Sequence, residues 1–278
     1  MTSRNWFITG TSSGFGRHLV EQLLARGDGV FATLRRPGAL AELEAAHGPR
    51  LRVATLDVTD APAVRRVVDE AFAAFGRIDV VVSNAGYGLF GALEELTDEQ
   101  IRGQLDTNVL GSLAVMRAAL PHLRAQDGGR VLQLSSMGGQ MAFPGFSLYH
   151  ASKWAVEGVV EAAAQEVASF GIEFTLVEPG AASTNFGSGS LVSAAALPVY
   201  EDTAVGEFRR LRMSGAFPRP GDPAKMARAM IASVDIAPAP RRLALGSDAW
   251  SRMREALTAR LAALEAQKDL AFSTDATS

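Results

Sequence analysis

No cysteine occurs among the 278 residues. Disulfides, thiolate catalysis and cysteine-bound metals are therefore excluded, and the absence fits a reducing compartment. Charge of neither sign dominates: 27 basic and 30 acidic residues leave a net charge of -3. That balance gives no footing for nucleic acid or an anionic membrane. No apolar run reaches membrane-spanning length. The chain runs straight into strand-like Trp6-Phe7-Ile8-Thr9 with no signal-peptide pattern. A soluble cytoplasmic protein is the expectation, without nucleic-acid or membrane partners. Repeats, linkers and low-complexity stretches are missing too, so one domain over residues 1–278 is expected.

Apolar residues make up 47% of the chain, enough for a substantial core. Short β-rich runs alternate with longer helical patterns. The strands are expected at Asn5–Thr9, Val30–Leu34, Leu51–Leu56, Val80–Ser83, Arg130–Leu134, Glu173–Val177 and Arg242–Leu245. Several are near-continuous hydrophobic runs, as in strands covered on both faces. Helices are expected at Gly14–Ala25, Gly38–Ala46, Ala61–Phe75, Asp98–Leu123, Tyr149–Phe170, Pro223–Val234 and Ser247–Leu264. Glycines 27, 48, 76 and 171 stand where helices would end. The alternation predicts an α/β fold with a doubly wound, parallel, seven-stranded sheet and helices on both faces. Ligands would then lie at the carboxyl ends of the strands.

Residues 181–217 break this rhythm. They are rich in Gly, Ser and Ala, then helical near Tyr200–Met213. Such an excursion is either a lid over a binding site or a plain surface insertion. The tail 272–278 is expected to fray. In the last long helix, Trp250, Met253, Leu257, Leu261 and Leu264 form one stripe, which packs on the chain's own core or on a partner. Core packing is the default.

Tyr149 and Lys153 stand four residues apart in Tyr149-His150-Ala151-Ser152-Lys153, with Ser136 upstream. Four residues is about one helical turn, so phenol and ammonium share a face. An adjacent cation favours the phenolate and draws its pKa toward neutrality. A serine hydroxyl alongside would hold a carbonyl or alcohol oxygen. The three make a device for moving a proton on and off a substrate oxygen. On its own the Tyr-x-x-x-Lys spacing is common on helix surfaces, so its meaning depends on a redox partner elsewhere in the chain.

That partner has a place at the N-terminus. The first strand runs into Thr9-Gly10-Thr11-Ser12-Ser13-Gly14-Phe15-Gly16, and a helix follows. Glycines in such a turn let the backbone approach a diphosphate, and the helix N-terminus offers free N–H groups. Ser12 and Ser13 add hydroxyls. The second strand ends in Thr33-Leu34-Arg35-Arg36 and not in an acid. An acid there would bind the ribose diol of NAD, whereas guanidinium groups suit a 2′-phosphate. NADP(H) is therefore expected in preference to NAD(H).

With these motifs in order, the chain resembles the short-chain dehydrogenase/reductase family, in its branch with a Thr-Gly-x-x-x-Gly-x-Gly turn. The resemblance covers Asn5 to Thr184 by motif and the rest by element order. It implies a Rossmann fold. It places Asp57-Val58 at the adenine and Asn84-Ala85-Gly86, preceded by Ser83 where the family has asparagine, beside the cofactor. Asn108 takes the family's catalytic asparagine position. Ser136 is picked as the catalytic serine by register against Tyr149, with Ser135 as runner-up. Pro179-Gly180 folds over the nicotinamide, Ala182 contacts the cofactor, and Thr184 takes the position that contacts the carboxamide or diphosphate.

The implied reaction is hydride transfer between nicotinamide and a carbonyl or secondary alcohol, with Tyr149 as proton donor or acceptor. Lys153 lowers its pKa and holds the nicotinamide ribose, Ser136 binds the substrate oxygen, and Asn108 anchors a water. No metal is called for. Met137, Gly138, Phe143, Phe146, Tyr87 and Phe90, with the stretch Leu191–Val199, are expected near the substrate. Their apolar character favours a hydrophobic ketone, aldehyde or alcohol. No cation stands out to clamp a charged substrate, though Arg209, Arg210 and Arg212 could turn inward. His150 and His122 read as bystanders. A homodimer or homotetramer through Asp98–Leu123 and Tyr149–Phe170 is expected by the same resemblance. Two competing readings are a catalytically silent NADP(H) sensor or scaffold and a nucleotide-sugar epimerase or dehydratase. The intact Ser136, Tyr149 and Lys153 argue against the first; length and glycine spacing argue against the second.

Overall fold

A computed structural model describes residues 3–184 and 190–276. Its main sheet takes seven strands: β1 (Asn5–Ile8), β2 (Gly29–Leu34), β3 (Leu51–Thr55), β4 (Val80–Ser83), β6 (Gly129–Leu134), β7 (Ile172–Pro179) and β9 (Arg242–Leu245). All pair in parallel, in the order β3-β2-β1-β4-β6-β7-β9. The order reverses between β1 and β4, which opens a crevice at their carboxyl ends. The doubly wound, seven-stranded sheet expected from the sequence is what forms.

The alternation of side chains explains the layering. Along β1, Trp6 and Ile8 face one side and Phe7 the other. Trp6 and Ile8 pack with Leu19, Leu23 and Leu24 of α1 (Gly14–Arg26) and with Met226 and Met230 of α8 (Pro223–Ser233). Phe7 joins Val64 and Val68 of α3 (Ala61–Phe75), Val115 and Ala119 of α5 (Gly111–Ala125), and Val160 of α6 (Ser147–Glu166). Two apolar layers therefore clamp the sheet and leave only its ends for ligands. The remaining α-helices are the shorter α2 (Ala41–His47), α4 (Asp98–Leu105), α7 (Ala204–Met213) and α10 (Lys268–Phe272), and the long α9 (Ser247–Glu265).

The structure departs from the sequence expectations in five places. Two further strands, β5 (Gly88–Phe90) and β8 (Leu191–Ser193), pair in parallel as a small second sheet. The helix expected over Asp98–Leu123 is interrupted by a π-turn at Asp106–Leu110, because Asn108 is drawn inward by its hydrogen bonds. Helix α6 begins at Ser147, before Tyr149, and ends at Glu166, where a separate short turn precedes Gly171. In α9 only Met253 of the apolar stripe is buried, while Trp250, Leu257, Leu261 and Leu264 are exposed. A helix of 19 residues runs well past the four-residue strand β9 beside it, so only its first turns meet the core. Finally, the tail expected from residue 272 starts within α10; residues 277–278 of that tail lie outside the described residues, as do 185–189 of the expected excursion.

What remains of the excursion is pinned to the body by Glu95. Its buried carboxylate accepts from Ala92 N (2.7 Å), Leu197 N (2.9 Å) and the Arg209 guanidinium (2.6 Å). Burial alone would raise the Glu95 pKa, but these donors outweigh it and hold the carboxyl below its usual range. The segment beyond residue 190 is thus a wall of the crevice.

Candidate active site

A long cavity of about 1080 Å³ follows the carboxyl ends of the strands. One half is built from backbone. Gly10 sits at φ 72°, and a Cβ there would stand 2.9 Å from Ala85 Cα. Gly16 is packed so that a Cβ would fall 2.4 Å from Gly10 O. Only glycine fits either position. Asn84 braces this turn from β4: its amide donates to Thr9 O (2.8 Å) and Gly10 O (3.0 Å). Thr9 Oγ1 accepts from Asn84 N and Ala85 N, both at 3.0 Å. Ser13 is the N-cap of α1, yet its hydroxyl makes no capping bond. Gly10, Ser12, Ser13, Gly14 and Phe15 line the cavity. Gly16 does not; it sets how closely the helix meets the turn.

Further along this half, Arg35 and Arg36 line the cavity with exposed side chains after β2. Neither forms an ion pair among the described residues. Asp57 and Val58 line it too, Asp57 Oδ1 accepting from Thr59 N (3.0 Å) and Thr59 Oγ1 (2.8 Å). Asn84, Ala85, Gly86, Pro179, Gly180, Ala182 and Thr184 close the other side. A glycine cradle that no Cβ could enter, beside a helix N-terminus and two cations without acids, fits a nucleotide cofactor with phosphate groups.

Between the halves stand Ser136, Tyr149 and Lys153, all buried. Ser136 follows β6, and its Oγ accepts from Gly138 N at 3.1 Å. It also shares a hydrogen bond with the Tyr149 hydroxyl. Ser135, the alternative, faces away and donates to Glu157 Oε1 at 2.5 Å. Lys153 Nζ donates to Leu134 O at 2.8 Å and lies 5.7 Å from the Tyr149 ring centre. Asn108 does not line the cavity. It donates to Tyr87 O (2.9 Å) and Ser152 Oγ (3.1 Å) and accepts from Tyr87 N (3.0 Å). It thereby ties the segment between β4 and β5, at Tyr87, to the helix that carries Lys153.

The protonation states differ from the sequence expectation in one respect. Burial pushes the Tyr149 phenol up to about 12, against a lowering by the Ser136 hydrogen bond. Burial draws Lys153 down to about 8, resisted by the charge of Glu157. Burial, and not the neighbouring ammonium, sets the phenol's pKa here. At neutral pH the pair is a phenol beside an ammonium, the form that gives a proton.

Two residues to which the sequence reading assigned no role hold this centre. Glu157 lies one turn beyond Lys153 on the same helix face. Its carboxylate binds Ser135, Gln140 and, at 2.6 Å, Arg242. Gly139 permits the approach, since a Cβ there would be 1.9 Å from Glu157 Oε1. Arg242 also pairs with Glu178 at 2.5 Å. The segment around Ser136 is thus anchored on both sides to an ion network beneath it. His150, read as a bystander, is buried. Its Nδ1 meets Gly138 O at 2.9 Å and its Nε2 accepts from Phe143 N at 3.2 Å. That pattern requires the neutral ring with the proton on Nδ1, and burial keeps its pKa below the usual value. No local sequence signal marks either residue, because both contacts are made across the fold. His122 does stay outside, pairing with Asp69 on the surface.

The other half of the cavity is apolar. Tyr87, Met137, Phe143 and Phe146 line it as expected, joined by Leu191, Val192, Phe208 and Phe217. Phe90 and Gly138 do not line it. Phe90 is buried behind the wall, packed on Phe146 (5.2 Å between centres) and Phe208 (5.7 Å). Gly138 is turned inward against His150. Of the stretch Leu191–Val199, only Leu191 and Val192 reach the cavity. Phe208, Phe217 and Arg219 were not foreseen, since their inward turn depends on how the excursion folds back.

Residues 4–191 match the family model described as short chain dehydrogenase. The chain is 37% identical over 270 residues to Oxidoreductase BOA17 of Botryotinia fuckeliana, covering 97% of this chain and 98% of that one. It superposes on the crystal structure of a short-chain dehydrogenase from Streptomyces avermitilis with TM-score 0.92 and 41% identity, over 99% of this chain and 100% of that one. An alcohol dehydrogenase from Thermococcus sibiricus, solved with 5-hydroxy-NADP, gives TM-score 0.70 and 26% identity, over 88% and 95%. The chain belongs to the short-chain dehydrogenase family, oxidoreductases that work with nicotinamide cofactors.

Proposed function

We propose that the protein is an NADP(H)-dependent carbonyl reductase and alcohol dehydrogenase whose substrate is a hydrophobic ketone, aldehyde or secondary alcohol. The observation that carries this is the buried Ser136–Tyr149 hydrogen bond at the junction of a phosphate cradle and an apolar pocket. When bound, the cofactor supplies or accepts the hydride. Ser136 and Tyr149 direct two hydroxyls at one substrate oxygen. Tyr149 gives that oxygen its proton as the carbonyl carbon becomes a carbinol, and takes it back in the reverse direction. Lys153, held by Leu134 O, keeps a positive charge near the phenolate so formed. Asn108 holds the helix of Lys153 against the segment at Tyr87.

Preference for NADP(H) rests on Arg35 and Arg36, which stand where an acid would favour NAD(H) and have no acidic partner among the described residues. One domain, a cytoplasmic location and a homodimer or homotetramer belong to the same reading. Leu110, 56% exposed, and Trp154, 44% exposed, leave apolar surface on the helices that would pair. Loss of NADPH absorbance with a panel of hydrophobic ketones tests the activity. Tyr149→Phe is expected to lower that rate by about a thousandfold while NADPH affinity stays near that of the wild type. Retained turnover in the variant would sink the assignment.

A further inference from the structure

We infer that the substrate half of the cavity contains an anion subsite formed by Arg212 and Arg219, and that the substrate is a hydrophobic carbonyl compound or alcohol carrying a remote carboxylate. The inference rests on the carbonyl-reductase reading above and narrows its substrate class.

Helix α7 carries Arg209, Arg210 and Arg212. The first is bound to the buried Glu95 at 2.6 Å. The second donates to Glu201 O at 2.6 Å. Arg212 stands near the same Phe90 ring as Arg209 but has no carboxylate beside it among the described residues. It lines the cavity, half-buried, with its guanidinium 5.5 Å from the centre of the Phe90 ring. Its one hydrogen bond is long, to Ser193 Oγ at 3.3 Å. Arg219 lines the same cavity. Neither arginine has an ion-pair partner among the described residues.

Burial first, and then the charge of Arg219, lower the Arg212 pKa. Two like charges thus line one cavity beside the apolar Phe208 and Phe217. The acids of the lining, Asp57 and Asp106, face other groups: Asp57 is engaged by Thr59, and Asp106 acts on Tyr87. An incoming carboxylate would relieve the repulsion, and the planar guanidinium suits it. The route to the reacting oxygen is a line of rings. Arg212 and Phe208 line the cavity from the same helix, Phe208 packs 5.6 Å from Phe146, and Phe146 lies 6.0 Å from Tyr149. A ligand with its carbonyl at Tyr149 and its acid at Arg212 would lay an apolar body along this line.

The test uses the full-length protein saturated with NADPH and a series of aryl keto carboxylates of increasing chain length, each with its methyl ester. Calorimetry is expected to find one chain length at which the acid binds about tenfold more tightly than its ester. Arg212→Ala and Arg219→Ala should each remove most of that preference, and Arg212→Lys should keep part of it, with NADPH affinity unaltered. Three results would overturn the subsite: equal binding of acid and ester throughout, including no binding of either; equal loss for acid and ester in the variants; or a fall in NADPH affinity as large as the fall for the acid, which would assign the arginines to the cofactor. Tight binding of the acid with no NADPH consumption would count against the reductase reading and leave the subsite standing.

Discussion

The cofactor half of the cavity and the substrate half are held in place by different kinds of contact. In the first, the wall is backbone: Gly10 presses on Ala85, and Asn84 clamps the carbonyls of Thr9 and Gly10. In the second, the wall is side chains carried by residues 137–146, β8 and α7, the last two fixed to the body through Glu95. Backbone walls admit almost no substitution, while a wall of phenylalanines can be reshaped one residue at a time. The molecule therefore has one rigid end suited to an unvarying ligand and one adaptable end suited to a particular one. Ser136, Tyr149 and Lys153 stand where the two meet.

The largest expected effect falls on the floor under both halves. Arg242→Ala strips the cation from Glu157 and Glu178 and should cost about 3 kcal/mol of stability near neutral pH, measured by denaturant unfolding. Burial, followed by the charge of Glu157, already raises the Glu178 carboxyl from 4.5 to about 7. A raised folded-state value means that the folded protein holds this proton more tightly. Its contribution is complete below about 4.5 and is lost as pH rises toward 7. The variant should accordingly regain stability on acidification, and equal losses at every pH would contradict the network. Next comes Gly10→Ala, expected to cost about 2 kcal/mol through its left-handed backbone and the contact with Ala85. It should weaken NADPH without changing ligand preference in the other half; calorimetry with both ligands checks this.

Smaller effects sharpen the contrast. Arg35→Ala should raise the KM for NADPH about tenfold, the worth of one charge-assisted contact, and leave that for NADH unchanged. Equal shifts for both cofactors would remove Arg35 from the 2′-phosphate. Smallest near neutrality is the pH dependence of ketone reduction. Tyr149 keeps its proton up to about 12, whereas Lys153 loses its own near 8. The plot of kcat/KM should be flat below about 8 and fall above it, with no second break near 10. A bell with an acidic limb near neutrality would point to a different proton donor.

What the sequence made legible follows the same division. The glycine turn, the arginines after β2 and the Tyr149–Lys153 spacing are local patterns, and each stands in the cavity. The sheet was legible too, because β1, β2 and β4 are buried on both faces and read as near-continuous apolar runs. The substrate wall was less so. Phe90 and Phe208 are equally aromatic, yet one is core and the other lines the cavity, and only the fold-back of α7 decides between them. Arg212 is available only because Arg209 takes Glu95. Glu157 resembles any helix glutamate until Arg242, far along the chain, comes to lie beneath it. The tyrosine's pKa misled for a related reason: spacing reports a neighbouring charge but not how much water is lost.

The π-turn at Asp106–Leu110 makes chain length itself a constraint in this region. It holds one residue more than a regular helix would need, and that residue lets Asn108 reach both Tyr87 and Ser152. Deleting any one of the four residues other than Asn108 would leave a well-formed helix but turn α4 about 100° relative to α5. Asn108 would then swing off the seam between Tyr87 and α6. Single substitutions at exposed positions of this turn should be absorbed, whereas a frameshift-free loss or gain of one codon should not.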